Sequence, residues 1–193
     1  MNAMPSGPFC SQCKLYCTAK SWLWSTGNPD ANILLIGEAP GEIEDEEGAL
    51  LVGPEGDLLS EMLGLAGLQT SDVSFVNILK CRPPDNKMRQ GPVNCCSPLL
   101  SHQICEIKPQ VLVTLGRWAT DWVLRRSACP DALPYEGKIT RMQGAKFMAH
   151  TIAGSIPLFP MLHPRAVLRD IGSQKSRYAD AFRSLGKELG SAI

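Results

Sequence analysis

Cys10 and Cys13 form a Cys-x-x-Cys pair, a spacing whose short loop lets two thiolates meet one metal ion or cluster. Cys81 and Cys96 are separated by fourteen residues rich in proline, asparagine and glycine. Four thiolates from these two pieces suit a [4Fe-4S] cluster or a zinc ion, since both accept four cysteines. The other four of the eight cysteines, Cys17, Cys95, Cys105 and Cys129, read as small buried side chains, with Cys95 or Cys17 available to replace a ligand. A second chemistry-bearing stretch is Ile33 to Gly56, ILLIGEAPGEIEDEEGALLVGPEG. Its apolar start reads as a buried strand, and Gly37-Glu38-Ala39-Pro40-Gly41 then lets the backbone turn sharply and approach a bound group. Carboxylates crowd the loop that follows, at Glu42, Glu44, Asp45, Glu46 and Glu47. His163, delivered by an apolar run and followed by Pro164, stands out from His102 and His150, which polar surroundings can absorb.

The elements that must position these groups alternate along the chain. Strand patterns at Ile33–Ile36, Val73–Leu79, Gln110–Leu115 and Ile156–Leu162 are interleaved with helical patterns at Asp57–Leu68, Pro98–Ile107, Trp118–Arg126 and Gln174–Leu189. Lys146–Ile152 adds a further strand, residues 127–145 read as loop, and Trp118, Trp122 and Val123 are expected to face inward. This alternation predicts an α/β fold, a single-domain three-layer α/β/α sandwich with a mostly parallel central sheet. Residues 1–31 read as an irregular segment tied down by the Cys10/Cys13 knuckle, with Trp22 and Trp24 packing it onto the domain. Loops at the carboxyl ends of parallel strands are where such sheets place their chemistry. Asn77, late in an apolar strand, is either a satisfied structural amide or a group that reads a ligand.

Composition narrows the function classes. Nineteen basic residues balance nineteen acidic ones, so net charge alone does not point to a polyanion. Local clusters do: Lys80, Arg82, Lys87 and Arg89 form one, and Arg165, Arg169, Lys175 and Arg177 another. No run approaches the roughly 18 apolar residues of a membrane span, and no basic-then-apolar leader opens the chain. The expectation is a cytoplasmic protein, monomeric and not bound to membranes, whose thiols stay reduced and whose basic patches can grip a phosphate backbone.

The motifs together resemble the uracil-DNA glycosylase superfamily, most closely its iron-sulfur family 4. The pattern G-E-[AG]-P-G-x-x-E-D followed by G-x-P-F-V-G is matched at Gly37 to Gly41, Glu44, Asp45, Gly48, Val52 and Gly53. The pattern T-N-x-x-K-C-R-P-P-x-N is matched at Asn77, Lys80 to Pro84 and Asn86, with Val76 in place of threonine. Leu115-Gly116 with Ala119 is similar to L-G-x-x-A, and His163-Pro164 to the terminal H-P. The x-P-x-L that follows the last cluster cysteine selects Cys96 over Cys95. The resemblance spans roughly residues 10 to 185.

The resemblance implies a monofunctional glycosylase that hydrolyses the N-glycosidic bond of uracil in DNA and leaves an abasic site. His163 would stabilise the departing base, and Glu44, with Glu38 or Asp45, would orient or deprotonate water. Ala39 stands where the most active branch carries an aspartate, so leaving-group stabilisation should dominate. Asn77, with Gly37, Ala39, Pro40, Gly41 and Asn86, would hold the extruded base. Arg82, Lys87, Arg165 and Arg169 would hold phosphates, and Val167 or Leu168 would wedge into the stack. Cys10, Cys13, Cys81 and Cys96 would ligate a [4Fe-4S] cluster, zinc being the alternative. Leu51 takes the place of the stacking phenylalanine, a contact of about 1–3 kcal/mol per base. That departure keeps two other classes open: a DNA-binding relative with weak activity or altered base preference, and a zinc protein whose acidic loop binds a small ligand.

Overall fold

The computed structural model of the chain describes residues 10–126, 138–151 and 154–190. Its centre is β2 (Ile33–Gly37), buried along its whole length. Parallel neighbours flank it: β3 (Val73–Asn77) on one side and β4 (Val111–Leu115) on the other, with β6 (Gly154–Met161) parallel to β4. Two antiparallel edges complete the order β1-β3-β2-β4-β6-β5, with β1 at Thr26–Gly27 and β5 at Phe147–Thr151.

Side-chain alternation along β2 builds two cores. Ile33 and Leu35 face a cluster that includes Leu59 and Met62 of α2 (Pro54–Leu65) and Tyr178 and Phe182 of α7 (Ile171–Gly190). Leu34 and Ile36 face a second cluster with Leu100 and Ile104 of α3 (Gln90–Ile107) and Ala119 and Val123 of α4 (Arg117–Arg126). Strands buried on both faces, with helices on each, make the three-layer α/β/α sandwich that the alternating pattern predicts. Of the short helices, α5 spans Ile139–Met142 and α6 Pro164–Arg169.

Several elements differ from the sequence-based expectation. The acidic run is not a loop but α1 (Glu42–Glu47), capped by Gly41 and closed by Gly48 at φ 71°. Glutamates in a first turn complement the helix dipole, and one polar face is all that so short a helix requires. Helix α3 starts eight residues before the expected Pro98 and takes Cys95 and Cys96 into its body, with Pro98 inside it. The N-terminal segment has anchors beyond its cysteines. Thr26–Gly27 pairs with β3, the Lys20 and Ser21 amides donate to Asp45, and Leu23 N–H donates to the Lys80 carbonyl at 2.8 Å. Trp22 and Trp24 stack with ring centroids 5.2 Å apart. Cys129 and most of the expected 127–145 loop lie outside the described residues.

Two glycines of α2 should respond oppositely to alanine. A Cβ on Gly56 would lie 2.0 Å from the Leu51 carbonyl oxygen, a backbone atom, whereas one on Gly64 would meet nothing within 4 Å. Gly56→Ala is expected to lower unfolding free energy by about 1–3 kcal/mol through overpacking. Gly64→Ala should raise it by roughly 0.5–1 kcal/mol through the smaller entropy loss on helix formation. Urea midpoints of the two variants measure both signs.

Candidate functional site

The sheet order places β3 and β4 on opposite sides of β2, so a crevice opens at the carboxyl ends of β2 and β4. Gly116 sits at its centre with φ 101°. A Cβ there would stand 2.4 Å from Glu38 Oε1 and 3.2 Å from the His163 Cβ. The missing side chain is therefore what lets the carboxylate and the imidazole flank one point. Both line a cavity of about 550 Å³, together with Ala39, Pro40, Asn86 and Trp118.

His163 caps the N-terminus of α6. Its Nδ1 accepts the Arg165 backbone N–H at 3.2 Å, which assigns the proton of the neutral ring to Nε2. Burial pushes its pKa down to about 4. The Glu55 carboxylate, 3.9 Å from Nδ1, opposes that shift, and Arg165 and Arg169 reinforce it. Near neutral pH the ring is an uncharged donor. Glu38 Oε1 accepts the Trp118 N–H at 2.9 Å. Burial raises the Glu38 pKa against that hydrogen bond and against the charges of Arg117 and Arg165.

The other carboxylates are placed differently. Glu44 accepts the Gly41 N–H at 2.8 Å and the Leu51 N–H at 2.7 Å, clamping two loops together. Burial raises its pKa in spite of both donors. It lines a neighbouring cavity of about 370 Å³ that also contains Gly41. Asn86, Arg165 and Arg169 border both cavities. Asp45 is turned away from both: it is buried at 3 % exposure, with its oxygens on the backbone amides of Lys20 and Ser21. Its geometry serves the N-terminal segment, which removes it from the expected water-handling group.

Asn77 is buried behind Gly37, its Oδ1 lying 2.2 Å from where a Gly37 Cβ would stand. Its Nδ2 has no hydrogen-bond partner, a costly state for a buried amide and one that a ligand acceptor would relieve. Asn77 lines neither cavity. Leu51 also lines neither; at φ 61° it packs against the core on the α2 side of the sheet. Val167 is fully buried and cannot wedge into DNA, whereas the half-buried Leu168 borders the smaller cavity.

Among the expected phosphate-binding residues, Arg82 donates to Asn86 Oδ1 at 3.0 Å and pairs with Glu42 at 3.1 Å. Lys87 lines the larger cavity. Arg165 Nε reaches Glu55 Oε1 at 2.6 Å. Glu55 was not singled out from the sequence, and Trp118 was expected only as an inward-facing residue of its helix, whereas it is half-buried and lines the larger cavity. The legible signal for Trp118 was an aromatic residue two positions after a strand-terminating glycine.

Cys10 and Cys13 are half-buried, and Cys81 and Cys96 are buried. Burial pushes the Cys81 thiol up to about 12, and Cys96, Cys10 and Cys13 add to the shift. Cys96 and Cys13 are raised too, chiefly by burial, and each also feels Cys10. Thiols are the donor type that iron and zinc centres take, and Cys95 acts on Cys13 as well. Among the described residues no group of three or more His, Cys, Asp or Glu side chains is arranged around a single ion. Lys80 does not belong to the surface basic cluster. It is fully buried, its ammonium donating to the Asn77 backbone carbonyl and to Gln103 Oε1 and lying 5.2 Å from the Trp24 ring centroid.

The depressed His163 pKa has a thermodynamic consequence. Unfolded, the imidazole binds a proton near its ordinary 6.5; folded, it does so only near 4. The unfolded state thus takes up protons first as pH falls, and stability is lost between about pH 6.5 and 4, by at most roughly 3 kcal/mol from this group. His163→Gln should flatten that part of the profile, as read from urea midpoints at pH 7 and pH 5 in both proteins.

The profile of the uracil DNA glycosylase superfamily matches residues 24–185. The type-4 uracil-DNA glycosylase of Saccharolobus solfataricus is 37 % identical over 185 residues, covering 94 % of this chain and 82 % of that protein. The type-4 uracil-DNA glycosylase of Archaeoglobus fulgidus is 33 % identical over 182 residues, covering 94 % and 88 %. That of Thermotoga maritima is 32 % identical over 172 residues, covering 87 % and 82 %. With the sandwich, the switch-point crevice and this extent of identity, the chain belongs to the uracil-DNA glycosylase superfamily, among its type-4 members.

Proposed function

We propose that the protein is a monofunctional DNA repair glycosylase that hydrolyses the N-glycosidic bond of uracil in DNA, releasing the base and leaving an abasic site. The observation that carries this reading is the pairing of a neutral Nε2–H donor and a half-buried carboxylate across Gly116 in one cavity. Cleavage of the bond leaves negative charge on the base oxygens and positive character on the sugar. The His163 donor stabilises the first. The Glu38 carboxylate faces the second, where it orients water for attack at the sugar carbon and takes up the proton that water loses. Glu44 clamps Gly41 and Leu51 as a positioning residue. The unpartnered Asn77 amide has the donor and acceptor to match an edge that offers both a carbonyl and an imide N–H, as uracil does and cytosine does not, although it lies buried behind Gly37 and borders neither cavity.

The target base leaves the stack to reach this crevice. Lys87, Arg165 and Arg169 at the cavity rims suit the flanking phosphates. Cys10, Cys13, Cys81 and Cys96 would hold an iron–sulfur cluster of the [4Fe-4S] type as scaffold, joining the N-terminal segment to the end of β3 and to α3. A zinc ion would instead need the sulfurs about 2.3 Å from one point. The reading agrees with a reduced, intracellular setting, and among the described residues no helix is long and apolar enough to cross a membrane.

Labelled oligonucleotides carrying U opposite G, U opposite A and unpaired U test the activity: free uracil and an abasic strand are expected. His163→Ala should cost about 10²–10³-fold in single-turnover rate, and Glu38→Gln about 10²–10⁴-fold, with oligonucleotide affinity retained. Binding without base release by the unaltered protein would favour the alternative of a glycosylase-like DNA-binding protein, for which the inward packing of Leu51 speaks. For the cofactor, broad absorption near about 400 nm reports thiolate-bound iron. Cys96→Ser should abolish it and Cys95→Ser preserve it; a colourless protein containing zinc would reject the cluster.

A further inference from the structure

The excision reading needs a surface for the extruded base to lie on, and Leu51 does not supply one. Its side chain packs into the core on the α2 and α7 side of the sheet, its backbone is held by Glu44, and it borders neither cavity. Among the described residues, the aromatic side chain lining the larger cavity apart from His163 is that of Trp118.

Three observations fix Trp118 in place. Its backbone N–H donates to Glu38 Oε1 at 2.9 Å, tying the first turn of α4 to the carboxylate across the crevice. Its ring packs against the core on the α3 and α4 side, opposite to the one that takes Leu51. The Arg117 guanidinium lies 5.7 Å from the ring centroid, adding a cation to that edge of the cavity. A half-buried tryptophan lining the cavity that Glu38 and His163 also line has the flat aromatic surface a stacking platform needs.

We infer that Trp118 is the residue on which the flipped base stacks in this protein, in place of the aromatic that Leu51 has lost. The inference rests on the excision reading and deepens it. Stacking is sequence-tolerant because every base has a π-face, so Trp118 supplies affinity and not discrimination between bases.

The test uses the full chain as purified and an oligonucleotide with one unpaired uracil. Trp118→Leu should raise the half-saturating concentration in single-turnover excision roughly 5- to 150-fold, the equivalent of about 1–3 kcal/mol of stacking per base. Trp118→Phe, which keeps an aromatic face, should stay near the unaltered protein. A purely structural role would not distinguish the two variants in this way at equal melting temperature. In a His163→Ala background, uracil-containing strands should quench tryptophan emission more than matched thymine strands, and Trp118→Phe should remove the difference. Equal saturation of Trp118→Leu and the unaltered protein, equal losses in Leu and Phe variants, or a uracil-dependent quench that survives Trp118→Phe would each overturn the inference. If the unaltered protein releases no uracil, the excision reading falls separately, and the quenching comparison still decides whether the indole meets the base.

Discussion

Glu38 and His163 come from strands separated by β4, and they can address one cavity only because nothing projects from the Cα of Gly116 between them. The left-handed backbone at that glycine, φ 101°, turns the chain from β4 into α4 without a Cβ to fill the crevice. The rest of the site inherits this constraint. Helix α4 can then present the Trp118 amide to Glu38, and α6 can start at His163 with its first free N–H turned onto the ring.

Burial decides the ionic character of the site. It raises the two carboxyl groups, Glu38 and Glu44, and lowers the imidazole, in each case as the largest influence. For His163 the nearby Glu55 carboxylate would favour the charged ring, but it is already engaged by Arg165 at 2.6 Å, and Arg165 itself disfavours a second cation. A neutral donor beside a carboxylate avoids the cost of an unscreened buried charge. Such a donor is still able to stabilise an oxyanion, because the stabilisation needs a preorganised N–H and not a full charge.

Much of this was legible because strands and their terminal turns carry strong local signals. The apolar run into Gly37, the Leu115-Gly116 end and the His163-Pro164 end all lie where the sequence pattern puts them. What stayed hidden depends on long-range contacts. The acidic run carries no apolar periodicity, so its identity as α1 rests on Gly41 capping and on Asp45 reaching amides 25 and 24 residues away. The inward turn of Leu51 depends on the close approach of Gly56 from α2. Lys80 looked like surface charge because lysine is almost never fully buried; only the fold shows the carbonyl, amide and indole that enclose it. Nothing local in Arg117-Trp118 tells which side of the sheet the indole will meet.

That enclosed lysine also links the N-terminal segment to the end of β3. Its ammonium donates to the Asn77 backbone carbonyl and to Gln103, and Gln103 in turn donates to the Trp24 carbonyl at 2.9 Å. Cys81 is the next residue along the chain and Cys96 lies within electrostatic reach of Lys80. The segment that carries Cys10 and Cys13 is thereby joined to the strand end that carries Asn77 through buried polar contacts, each with a named partner. A satisfied buried network of this kind has few alternative arrangements, because any displacement strands a donor away from water. The cysteine-bearing segment, though remote from Glu38 and His163, is therefore tied by buried polar contacts to the backbone of Asn77, whose side-chain amide is buried without a partner.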